Sequence, residues 1–205
     1  MTVTKESFLK DVATHVMTVV KNDGKHRHLH FRAADGSSVY HYDIITWPGY
    51  LTIAGDCGTY VFWRLSDMFD FFRSESGRIN PSYWGEKVEA ADRSAGLKEW
   101  DSEAFTRSVT DSFDSSWEET EDTNARTECW DQVRREILCH ADSEHEAMPA
   151  LRDFTFDRPN GGQWSFSDYW EIGTERYTTR FLWCCHAIVW AIEQFDAAQP
   201  SAEAA

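Results

Sequence analysis

The sequence predicts an α+β fold: an antiparallel four-stranded meander flanked by helices, with a more helical C-terminal half. Three observations predict it. Apolar residues recur at helical spacing at the start, alternate with period two from Lys25 to Trp63, and return to helical spacing beyond Glu99.

Residues Lys5 to Asn22 place Phe8, Leu9, Val12, Val16, Val19 and Val20 at helical spacing, and Asn22-Asp23-Gly24 supplies a stop, so one amphipathic helix is expected. Leu29 and Phe31 then alternate against His26, His28 and His30, and Tyr40, Tyr42 and Ile44 resume the pattern after Asp35-Gly36, a two-residue hairpin signal. Pro48-Gly49 breaks the chain. Tyr50 to Ala54 and Thr59 to Trp63 read as a second hairpin around Gly55-Asp56-Cys57-Gly58. Ser66 suits the N-cap of a short helix carrying Met68, Phe69, Phe71 and Phe72. Ser74 to Ser82, with Pro81 and then Gly85 and Gly96, reads as a surface excursion. Helices are expected over Glu99–Phe113, about Thr127–His140 and Thr179–Phe195, the last apolar nearly all round. The expected organisation is one domain over 1–196, made of helix plus sheet (1–75), an acidic excursion (76–125) and a helical packing segment (126–196), followed by a disordered tail at 197–205.

Of 205 residues, 41% are hydrophobic and 15% aromatic, enough to bury a core, and the formal net charge is −15. So few Lys and Arg disfavour direct binding of nucleic acid or an anionic membrane, whereas an acidic surface attracts a basic groove on another protein. No secretory signal is expected from MTVTKESFLK, and the longest apolar run, FLWCCHAIVWAI, is short of a membrane span. Five cysteines without scaffold spacing favour thiols in a reducing cytoplasm.

Three constellations are candidates for chemistry. A two-residue turn at Asp35-Gly36 sets His30 opposite His41 and His28 opposite Asp43, gathering His26, His28, His30, His41 and Asp43 on one face, where imidazoles and a carboxylate suit Zn, Ni or Fe. Alternation alone also explains that face, so no metal or cofactor is assigned. Cys139-His140 with His145, and Cys184-Cys185-His186, lack the spacing of a zinc site or a nucleophile, and the latter read as buried groups of an apolar helix. No phosphate-binding, nucleophile-elbow or metalloprotease motif occurs, and no catalytic residue is assigned. The third is an acidic run. Asp111, Asp114, Glu118, Glu119, Glu121 and Asp122 are the expected partner-binding carboxylates, with Trp100, Trp117 and Trp130 as aromatic anchors.

The stretch TWPGYLTIAGDCGTYVFWRLSDMFDFFR, with its Gly-x-x-x-Thr-Tyr element, and Tyr83-Trp84-Gly85-Glu86-Lys87 resemble a group of small proteins encoded in tailed-phage and prophage genomes. The resemblance covers roughly the first half and implies origin more than activity. Several small acidic phage proteins, anti-CRISPR and anti-restriction inhibitors among them, block host effectors by imitating nucleic acid or occluding its site. The expectation is therefore a non-enzymatic inhibitor of a host nucleic-acid-dependent defence complex, bound to a basic surface of that effector. The rivals are a metal-dependent or small-molecule enzyme on the histidine face and a virion or assembly component. The oligomeric state is left open.

Overall fold

The computed structural model describes residues 3–73, 77–117, 122–159 and 161–199. In chain order the elements are α1 (Lys5–Asp11), β1 (His15–Asp23), β2 (His26–Ala33), β3 (Tyr42–Trp47), β4 (Tyr50–Gly55), β5 (Gly58–Trp63), α2 (Met68–Phe72), α3 (Pro81–Gly85), β6 (Val88–Ala90) and β7 (Lys98–Trp100). They continue as α4 (Ser102–Ser116), α5 (Thr123–Glu136), α6 (Glu144–Asp153), β8 (Phe156–Asp157), β9 (Gln163–Trp164), β10 (Glu175–Tyr177) and α7 (Thr179–Ala198).

The sheet is an antiparallel meander of six strands, β1 to β6 in sequence order, where four were expected. The extra strands lie at its two edges. The first arises because the expected helix over Lys5–Asn22 is a seven-residue helix, closed at its start by reciprocal bonds between Thr4 and Ser7, followed by a strand. Thr18, Val19 and Val20 are β-branched residues that favour a strand, and only Phe8 and Val12 of the helically spaced set are buried. The second, β6, is three residues long, too short for alternation to show.

The first hairpin differs in register. Residues 34–41 form a longer connection, in which Asp35 accepts from the Ser37 N–H and Tyr40 takes a left-handed φ of 58°. Its N–H donates to Asp56. His30 therefore pairs with Asp43 and Phe31 with Tyr42, in place of His30 with His41. The shift is two residues, an even number, so each side chain keeps its face. The second hairpin turns at Asp56-Cys57 as expected. There Gly55 lies so close to the main chain of His41 and Tyr42 that a Cβ would fall 2.2 Å from the His41 carbonyl oxygen. Asp67, one residue beyond the expected Ser66, caps α2 by accepting from Phe69 N–H.

The chain divides into two compact units, Met1–Lys98 with Tyr177–Ala205, and Glu99–Arg176. The sequence boundaries at 75/76 and 125/126 thus fall inside units. In the first unit, one face of the sheet (Leu29, Phe31, Tyr42, Ile44, Leu51, Ile53, Tyr60, Phe62) is fully buried with Phe181, Cys185, Ile188 and Ile192 of α7. Each such side chain removed from water contributes roughly 1.5–3 kcal/mol. In the second, α4, α5 and α6 bury Phe105, Val109, Phe113, Cys129, Val133, Ile137 and Leu151, and the β8–β9 hairpin adds Phe156 and Trp164. Helix α6 was not anticipated: it carries Pro149 internally, and only Ala147 and Leu151 are fully buried. Among the described residues no helix is long and apolar enough to cross a membrane.

Candidate functional site

The division into units separates the charge. Glu99–Arg176 holds twenty Asp and Glu against seven Arg and no lysine, a formal charge of −13. The rest of the chain holds fifteen acids against thirteen bases and carries only −2. The arginines of the acidic unit are largely committed to its own carboxylates: Arg126 to Asp114, Arg134 to Asp131, Arg152 to Asp153 and Arg176 to Glu99. The Arg152 guanidinium beside Asp153 holds that carboxyl below its ordinary range. What remains outward is an acidic excess.

Helix α4 organises part of it. Asp101 caps the helix by accepting from the N–H groups of Glu103 and Ala104, which frees the following turns to present side chains by helical period. Phe105, Val109 and Phe113 turn inward, leaving Glu103, Arg107 and Asp111 exposed. An open groove of about 520 Å³ runs beside them, lined by Glu103, Thr106, Arg107, Thr110, Asp111 and Asp142. Three carboxylates and three hydroxyls, Ser102 among them, against one guanidinium make this groove an acceptor of cationic side chains. A smaller one of about 220 Å³ is lined by Thr110, Phe113, Asp114, Arg126 and Trp130.

The expected partner-binding residues fall into different environments. Asp111 lines the larger groove, Asp114 is paired with Arg126, and Asp122 caps α5 by accepting from Asn124 and Ala125 N–H. Glu118, Glu119 and Glu121 lie outside the described residues. The three tryptophans expected as anchors are engaged internally. Trp117 is buried among Phe113, Phe156 and Trp164, with the Arg158 guanidinium 4.9 Å over its ring and its indole N–H without a partner among the described residues. Trp100 is half-buried and donates to the Ala141 carbonyl at 2.7 Å. Trp130 is half-buried against Phe113. The most exposed tryptophan is Trp170, at 66%, on a short 3₁₀ turn after Asp168, whose φ is 55°. Sequence reasoning missed it, because no periodic element surrounds it.

The histidine face is retained in part. His28 Nε2 lies 2.7 Å and His30 Nδ1 3.0 Å from the same oxygen of Asp43, Oδ1. His41 has left the group: its Nδ1 faces the Ser38 carbonyl at 2.6 Å. His26 sits opposite Asp23 at the far end of β2. Among the described residues, no three His, Cys, Asp or Glu side chains are arranged to hold a metal ion.

Four of the five thiols, all but the exposed Cys139, behave as small apolar groups. Cys184 and Cys185 are buried in α7, where burial pushes both thiols well up, and His186 stacks on Phe8 at 5.8 Å. Burial also pushes the thiols of Cys57 and Cys129 up to about 12. A thiol held in this state is a poor nucleophile.

Comparisons with protein-family models, with curated proteins and with solved structures find no match to this chain.

Proposed function

We propose that the Glu99–Arg176 unit is a binding module for a basic, nucleic-acid-handling surface of another protein, its carboxylates standing where phosphates would. The setting is the one the first-half resemblance implies, a phage-encoded, non-enzymatic inhibitor of a host nucleic-acid-dependent defence complex. One observation carries the reading: thirteen of the fifteen net negative charges lie in this unit, and it contains no lysine. Such a concentrated field steers a cationic partner and weakens with salt.

The test is capture from a nuclease-treated bacterial lysate on the immobilised chain, eluted by a salt gradient, with a Glu103→Lys, Asp111→Lys, Asp142→Lys variant alongside. These three carboxylates line the groove and cap no helix, and circular dichroism of the variant reports whether the fold is kept, since Glu103 lies in the first turn of α4. The expected result is a nucleic-acid-binding protein released as salt rises, displaced by a competing oligonucleotide and not retained by the variant. Retention indifferent to both salt and charge reversal overturns the assignment.

A further inference from the structure

We infer that Trp170 is the aromatic anchor of the acidic unit's interface and that its ring takes an arginine guanidinium of the partner. This rests on the reading of Glu99–Arg176 as a module for a basic surface, and it names the side chain that such a surface must carry. Among the described residues of that unit, Trp170 is the one large hydrophobic side chain that is exposed. Its neighbours hold it outward: Phe166 is buried, and Tyr169 and Ile172 pack against the core of the unit. The turn is tied down beyond them, where the Gly173 carbonyl accepts from the Ser108 hydroxyl at 3.2 Å and the Thr174 carbonyl from the Asp101 N–H at 2.8 Å. Asp168 enters the turn with its left-handed φ of 55°, a conformation that a non-glycine residue keeps only where its surroundings hold it. The ring therefore stands on a fixed backbone, and only its two side-chain torsions remain to be ordered on binding.

Charge selects the occupant. From Pro159 to Glu175 the chain has no Lys or Arg, and its charged residues are Asp168, Glu171 and Glu175. An apolar pocket closing over the ring would strip water from carboxylates that flank it in sequence, whereas a cation gains from them and from the negative face of the indole. Between the two cationic side chains, the planar and weakly hydrated guanidinium lies flat on an aromatic ring, while the ammonium of lysine keeps its water. The unit makes this contact within itself: Arg158 lies 4.9 Å over Trp117 and Arg126 5.6 Å over Phe113. The combination also fits a partner that handles nucleic acid. Arginines on such surfaces pair with phosphates and lay their planes on bases, and an outward ring among carboxylates offers a counterpart of each.

Calorimetric titration of the full chain with deca-arginine and with deca-lysine, at one fixed salt concentration, tests this. The two peptides carry equal charge, so the readout is the ratio of their affinities, compared between the parent and Trp170→Ala. The parent is expected to prefer deca-arginine. Trp170→Ala shrinks that preference by roughly threefold to tenfold and leaves the affinity for deca-lysine little changed, while Trp170→Phe keeps part of it. In NMR spectra of the unaltered chain, the indole N–H signal that Trp170→Phe removes shifts as deca-arginine is added. A ratio unchanged in Trp170→Ala, or an indole signal that stays in place, overturns the inference and leaves the acidic module standing. If neither peptide binds the parent, the reading of the module falls and this inference falls with it. Circular dichroism reports whether each variant keeps its fold, and should Trp170→Ala unfold, the indole signal of the unaltered chain decides.

Discussion

Phe31 and Tyr42 stack face to face across β2 and β3, their ring centroids 4.7 Å apart and their planes 7° from parallel. They are directly opposite in the ladder and both fully buried. This pair holds the register that brings His30 opposite Asp43 on the other face, because a one-residue slip would expose both rings.

Phe31→Ala removes that stack and leaves a cavity beneath Trp190, whose ring lies 5.4 Å from Phe31. A loss of about 3–5 kcal/mol is expected, read as a lowered urea midpoint with an unchanged slope. A change below about 1 kcal/mol would mean the site collapses freely and the register is held elsewhere.

Asp67 is bonded through both oxygens to Arg27 at 2.8 Å and also caps α2, and the guanidinium bond holds its carboxyl below the ordinary range. The folded chain therefore releases this proton more readily than the unfolded one. Its stabilisation is complete above the ordinary Asp value of about 3.9 and is lost as pH falls through the lower folded value. Asp67→Asn should cost about 1–3 kcal/mol at pH 7, and the difference between variant and parent should shrink in melts toward pH 2.

His186 titrates with the opposite consequence for its charged form. Burial, and then the nearby Lys5, lower its affinity for a proton, with Glu6 opposing. The unfolded chain takes up this proton first, so stability declines as pH falls below about 6.5 and levels off beneath the folded value. His186→Gln should flatten the pH dependence of the melting temperature in that window. An unaltered slope would assign the dependence to other groups.

Of the five cysteines only Cys139 is exposed. Titration of the native chain with a disulfide reagent near pH 8 should therefore show one fast thiol, abolished by Cys139→Ser, with the other four reacting only on unfolding. A second fast thiol would show that the turn holding Cys57 opens readily.

The legible parts of the fold were those whose period is long and unambiguous. Strands β2 to β5 alternate over at least six residues each, and α7 is apolar over four turns, so both could be read. Val16, Val19 and Val20 fit a helix starting at Phe8 and a strand starting at His15 equally well. Pairing in space, which periodicity does not encode, resolves them as strand. The Asp35-Gly36 signal locates the reversal but not the length of the connection, which is why the register moved by two and His41 left the histidine group. The acidic excess was visible in composition. Its confinement to one unit was not, because the boundaries at 98/99 and 176/177 fall within strands β7 and β10, without a linker. Trp117 and Trp130 show the remaining limit: a tryptophan at helical spacing reads alike whether it faces a partner or its own core.

The order of elements along the chain also sets the order in which the protein is made. All six strands of the sheet have been synthesised by Ala90, yet the helix that buries their apolar face, α7, ends about a hundred residues later. At about 5–20 residues per second, that leaves the nascent sheet uncovered for on the order of 5–20 s. During this interval residues 99–176 emerge, and their heavy negative charge keeps the growing chain solvated and repels neighbouring copies of it. The acidic segment, whatever it binds in the finished protein, is thus synthesised at the time when the unfinished protein is most exposed to aggregation.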